Sequence, residues 1–100
     1  MLTHSLFVRL EAKAGKEKEV AAFLRQGLEL AQKETTTPVW FALRLGPTTF
    51  AIFDAFADDA GRQRHLDGPI AAALMANAST LLATPPVIEY LDVLGAKLPG

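Results

Sequence analysis

Apolar residues fall into two alternating rhythms along this chain, and the switches between them outline the fold. From His4 to Ala12 they alternate, with Leu6, Val8 and Leu10 on one side and Phe7, Arg9 and Glu11 on the other. That is the period of a strand. Gly15 breaks the run and can cap a helix, with Glu17 and Glu19 near its positive end. Val20, Phe23, Leu24, Leu28 and Ala31 then form a helical stripe, and Glu29 and Lys33 stand four apart in the favourable order. The polar run Glu34 to Thr37, followed by Pro38, ends that helix. Val39 to Leu45 and Thr49 to Phe56 read as strands, joined by Gly46-Pro47-Thr48 into an antiparallel hairpin. Asp58 can cap a short helix running to about Leu66. Gly68 and Pro69 restart helix, marked by Ile70, Ala73, Leu74, Asn77, Ala78 and Leu81 and stopped by Pro85-Pro86. Val87 to Leu94 is the last strand, with AKLPG as a tail.

The order β-α-β-β-α-β predicts an α+β, ferredoxin-like fold: one domain over residues 1–100, with a four-stranded antiparallel sheet and helices on one face. The other sheet face breaks the ordinary rule, since a solvated face alternates with polar residues. Val39, Phe41, Leu43 and Leu45 oppose Trp40 and Ala42, while Ala51, Phe53 and Ala55 oppose Phe50, Ile52 and Phe56. The last strand sets Ile88, Tyr90 and Leu94 against Val87, Leu91 and Val93. An apolar patch of several hundred Å2 on a lone chain usually marks an interface. The expectation is a homodimer packed through the open sheet face, with Phe53 and Tyr90 as candidate seam residues.

Composition narrows the partners. Half the residues are hydrophobic and 21% are charged, so the chain is globular. A net charge of −1 gives no reason to expect nucleic acid or an anionic membrane. The absence of cysteine excludes disulfides, thiolate metal sites and a cysteine nucleophile, and it fits a cytoplasmic location. No signal peptide is expected at MLTHSLFVRLEAK, and no apolar run nears the roughly 20 residues of a membrane span. The two histidines have no metal-ligand spacing, and no phosphate-cradling loop or dinucleotide fingerprint appears, so neither metal nor organic cofactor is expected.

Asp54 carries the strongest chemical signal. It shares a strand face with Phe50, Ile52 and Phe56, an apolar wall suited to a small-molecule pocket. If buried, its carboxyl titrates higher than usual and suits a general base; otherwise it is a strand-end acid, exposed or paired with Arg44. His65 is either a base, proton relay or substrate-orienting donor, or else bonds a backbone carbonyl where the short helix ends. His4 reads as a strand-end surface residue. Trp40, with Phe53 and Tyr90, lines a cavity or the seam, or packs in the core. Asn77 either binds a ligand or closes a local main-chain bond. Arg9, Arg44 and Glu11 are candidates for cross-strand ion pairs.

Three segments, LEAKAGKEKEVAAFL, TFAIFDAFADDAGRQRHLDGPI and IEYLDVL, give the chain a resemblance to the antibiotic-biosynthesis-monooxygenase-like family, in its quinol-monooxygenase-like branch. The resemblance spans almost the whole chain and implies a dimeric α+β barrel. Asp54 and Phe56 match an acid, a spacer and an aromatic at the end of the third strand, and His65-Leu66 match a pair after the next helix. The segment TTTPVWF departs from the family, with Trp40 or Phe41 in place of a tyrosine. The resemblance implies a cofactor-free monooxygenase acting on a small aromatic or quinol. Asp54 would be the base, His65 the relay or orienting donor, and Trp40 and Phe56 would stack on the ring; Ile52 and Asn77 are further candidate substrate contacts. Competing readings are a non-catalytic ligand-binding or stress-associated dimer, a haem-binding or haem-degrading protein using His65, and an isomerase of small metabolites.

Overall fold

The computed structural model describes residues 1–99. The elements are β1 (His4–Glu11), α1 (Glu17–Lys33), β2 (Val39–Arg44), β3 (Thr49–Phe56), α2 (Asp59–Leu66), α3 (Pro69–Leu81) and β4 (Val87–Asp92). The four strands form one antiparallel sheet in the order β2-β3-β1-β4, the ferredoxin-like arrangement that the sequence predicts. Boundaries move by a residue or two. Lys16, not Gly15, is the N-cap of α1 and gives no side-chain cap. Gly15 instead supplies the turn, with φ +84°. β4 ends early because its partner β1 begins at His4, which pairs Asp92. Asp58 caps α2 as expected, accepting the Gly61 N–H at 2.8 Å.

Register assigns each strand residue to a face. Leu6, Val8 and Leu10 of β1 stand opposite Asp54, Ile52 and Phe50 of β3, which in turn face Trp40, Ala42 and Arg44 of β2. This is the helix side. Its core combines Val8, Leu10, Phe50 and Ile52 with Val20 and Leu24 of α1 and Leu74 and Leu81 of α3. Arg44 lies over the Phe50 ring, 4.6 Å from its centroid, and does not pair with Asp54. Glu11 accepts the Thr48 and Thr49 hydroxyls, each at 2.6 Å, which ties β1 to the hairpin in place of the cross-strand ion pair considered for it.

The open face carries Phe7, Val39, Phe41, Leu43, Ala51, Phe53, Ala55, Val87 and Leu91. Phe41 and Leu43 are exposed and Phe53 is half-buried. Tyr90 does not share this face. It pairs Leu6 across the sheet and lies under the Arg62 guanidinium of α2, 4.9 Å from ring centroid to charge. Tyr90 and Ile88 are exposed because β4 extends beyond the cover of the helices.

The turn at Gly15 is the fold's one positive-φ position among the described residues, and no atom lies within 4 Å of where a Cβ would be. Backbone strain alone therefore sets the penalty for a side chain there. Gly15→Ala should lower stability by about 1–2 kcal/mol in urea denaturation. Gly46→Ala, in equally open space without positive φ, should be nearly neutral.

Candidate functional site

Asp54 is fully buried on the helix side of β3. Antiparallel pairing with β1 and β2 fixes its Cα, and strand alternation turns its carboxylate toward the helices. Directly above is His65, in the last turn of α2 and itself buried. His65 Nε2 lies 2.9 Å from Asp54 Oδ2, an ion-pair contact. The contact is not an aligned hydrogen bond, and both Asp54 oxygens are left without an aligned donor. On the opposite edge of the ring, His65 Nδ1 is 2.6 Å from Glu34 Oε1. Glu34 is the C-cap of α1 and also accepts the Thr37 hydroxyl at 2.7 Å. Phe56 closes one flank of the imidazole, with ring centroids 5.5 Å apart.

Glu34 thus completes a line, Asp54–His65–Glu34, that joins β3, α2 and the end of α1. The sequence reading placed Glu34 only in the polar run that ends the helix. One signal for it was present: a carboxylate at a helix C-terminus opposes the negative end of the dipole and needs a compensating partner. His65 supplies that partner. A Cβ on Gly68, the N-cap of α3, would stand 3.3 Å from Glu34 Oε2, so the carboxylate also lies beside the positive end of a second helix.

The titration of both inner groups is shifted. Burial raises the Asp54 carboxyl above its ordinary 3.8; the His65 contact opposes this and the Glu34 charge adds to it. For His65, burial is the largest single influence and pulls it down, but the Asp54 and Glu34 carboxylates together outweigh burial and leave it above 6.5. With the imidazole protonated, one cation lies between two anions. The donor atoms of the two acids meet opposite edges of one ring, so they do not converge on a common point, and among the described residues no group of three metal-ligating side chains gathers.

The other candidate residues lie as follows. Ile52 and Phe56 are buried on the face of Asp54. Trp40 is half-buried directly across from Asp54 in the β2–β3 register, and its indole N–H is buried without a partner. Asn77 is exposed on α3 and donates its amide to the Ala73 carbonyl at 2.8 Å, the local bond considered for it. It is not brought to Asp54. His4 is half-buried at the start of β1 beside the Thr3 hydroxyl. Neither Asp54 nor His65 lines any of the surface cavities found among the described residues.

The raised titration of His65 has a definite stability sign. A group that holds its proton more tightly when folded stabilises fully below its unfolded value, here 6.5, and loses that contribution as pH rises through the folded value. Asp54, also raised, acts in the same direction from 3.8 upward. Stability in urea should therefore fall as pH rises above the unfolded His65 value of 6.5. In Glu34→Gln, nitrogen-15 NMR of the His65 ring should show its midpoint lowered, and the pH-dependent stability loss should be smaller and complete at lower pH.

No protein-family model matches this chain, and no curated protein matches it significantly. Solved structures do. NE2512, a protein of unknown function from Nitrosomonas europaea, is 61% identical, with a TM-score of 0.98 over 100% of this chain and 97% of that one. A candidate antibiotic biosynthesis monooxygenase from the same organism is 16% identical, with a TM-score of 0.81 over 92% of this chain and 90% of that one. A further protein named as an antibiotic biosynthesis monooxygenase is 13% identical, with a TM-score of 0.78 over 92% of this chain and 99% of that one. At those lower identities the likeness is one of fold. The chain belongs to the family of the Nitrosomonas europaea protein NE2512, built on the fold it shares with proteins named as antibiotic biosynthesis monooxygenases.

Proposed function

We propose that the chain is a cofactor-free monooxygenase of the antibiotic-biosynthesis type, acting on a small aromatic or quinol. The observation that carries this reading is the buried Asp54–His65 pair within this fold. A carboxylate whose titration is raised by burial is a stronger base than an exposed one. Asp54 takes a phenolic proton, and His65 passes charge and proton toward Glu34. The resulting anion gives one electron to O2, and the two radicals combine at a ring carbon. Loss of water then yields the oxidised ring. For a hydroquinone the balance is quinol plus O2 giving hydroxyquinone plus water. The protein's share is a base, a dry surround and a proton path. Ile52 and Phe56 keep the surround dry, and Trp40 offers a ring on which substrate stacks.

A second reading draws on the complete burial of Asp54: the line of three is a structural tie within a non-catalytic ligand-binding dimer. The haem alternative gains less, because both His65 ring nitrogens are already engaged. Asp54→Asn separates the first two. Under the oxygenase reading, O2 uptake with a panel of hydroquinones should fall on the order of a hundredfold or more, while the fold is kept. Under the structural reading, the melting temperature should shift and any turnover should stay within a small factor.

The open sheet face supports a homodimer packed sheet to sheet. Nothing within the described chain covers Phe41, Leu43 or Val87, and they adjoin Phe53 and Leu91 on one continuous apolar surface. Phe53→Glu should shift sedimentation toward the 10.8 kDa monomer. Tyr90→Glu, on the helix side beneath Arg62, should leave the assembly intact. A wild-type protein that is a stable monomer at micromolar concentration would remove the dimer from the proposal.

A further inference from the structure

The open apolar face carries two charges with no partner. Register puts Arg9 of β1 and Glu89 of β4 on the same side of the sheet as Phe7, Ala51 and Leu91. Both are exposed. Arg9 stands opposite Val87, and Phe7 opposite Glu89, so the two charges hold opposite corners of one block of four residues. Diagonal neighbours of this kind are roughly 7–8 Å apart, within reach of long side chains. They do not join: among the described residues, neither Arg9 nor Glu89 takes part in an ion pair. The Arg9 guanidinium lies instead over the Phe7 ring, 5.6 Å from its centroid. Glu11, a third charge on this face, differs, because its two oxygens already accept the Thr48 and Thr49 hydroxyls.

Sealing this face against another surface strands both charges unless that surface answers each of them. A second copy does so by symmetry. Under a two-fold axis, residue i of one copy meets residue j of the other, and j meets i in return. A face with one unpaired cation and one unpaired anion is therefore its own complement when the axis bisects the line from Arg9 to Glu89. An axis running over Arg9 instead sets that cation against its own copy, which repels. Phe7 and Val87 hold the other two corners of the block. Both then lie close to the bisecting axis, where each packs against its own counterpart.

We propose that Arg9 of each chain pairs with Glu89 of the partner subunit, and that these two reciprocal ion pairs fix the register in which the sheets pack. The inference rests on the homodimer reading. It adds what apolar contact, being non-directional, leaves open: where on the face the axis lies.

Charge reversal and subunit mixing test it by sedimentation equilibrium. Arg9→Glu alone should weaken the dimer about tenfold or more, because it sets like charges together at two places. Glu89→Arg alone should do the same. An equimolar mixture of the two variants should recover the association of the wild type, since every facing pair in the mixed dimer is again of opposite sign. An ion pair closed within one chain predicts no such recovery. The double variant Arg9→Glu/Glu89→Arg should dimerise with itself yet fail to exchange subunits with nitrogen-15-labelled wild type in native mass spectrometry. That arm keeps the test valid if a single variant does not fold. The ion pairs are overturned if a folded single variant dimerises as tightly as the wild type, if mixing restores nothing, or if the double variant exchanges freely with the wild type. Each of these results leaves a wild-type dimer standing. A wild type that is itself monomeric removes the dimer and the ion pairs together.

Discussion

A carboxylate with no exposed surface must have its charge answered from within the protein, and much of this structure is arranged around doing so for Asp54. The strand holds it in place, and the answer comes from a different element, the end of α2. That cation in turn is held from its far side by α1. The three segments are remote in sequence, and the packing of the core is what brings them into line. Pulling any one away leaves a buried charge unanswered in an apolar interior, so the line ties helix positions to the sheet. Phe56 against the imidazole and Thr37 on Glu34 then limit how far either partner can turn.

Much of the architecture was legible because hydrophobic period and turn chemistry agree. The Gly46-Pro47-Thr48 hairpin, the Asp58 cap and the Pro69 helix start all follow from local rules that tertiary contacts do not override. Asp54 stood out for a different reason, as a polar group where its surroundings call for an apolar one, and His65 stood out as a titratable ring in the next helix. Glu34 did not stand out, because a polar run after a helix is ordinary and its meaning depends on a neighbour far along the chain. Its position against the helix dipole was a real clue but a weak one.

Facing was the part that sequence could not supply everywhere. On β3, apolar residues occupy both faces, and only the acid at position 54 tells them apart. On β4 the ambiguity is physical, since an edge strand beyond the helices leaves both of its sides exposed, and hydropathy then has nothing to orient. Tyr90 illustrates this. It reads as a seam residue beside Phe53, yet it lies on the other side under a cation from α2. Asn77 shows the opposite case, where a polar residue in an apolar stripe simply closes onto its own helix.

The two faces of β3 also restrict how this protein can vary. Even-numbered positions serve the buried acid and the core, and odd-numbered positions form the open apolar surface. Substitutions at one set leave the other set facing the same way. An insertion or deletion of one residue inside the strand would exchange the two sets, sending Asp54 outward and Phe53 inward. Descendants of this chain can therefore drift in side-chain identity along β3 but not in its length. Changes in length have room at the 46–48 turn and beyond β4, where register with the acid is not at stake.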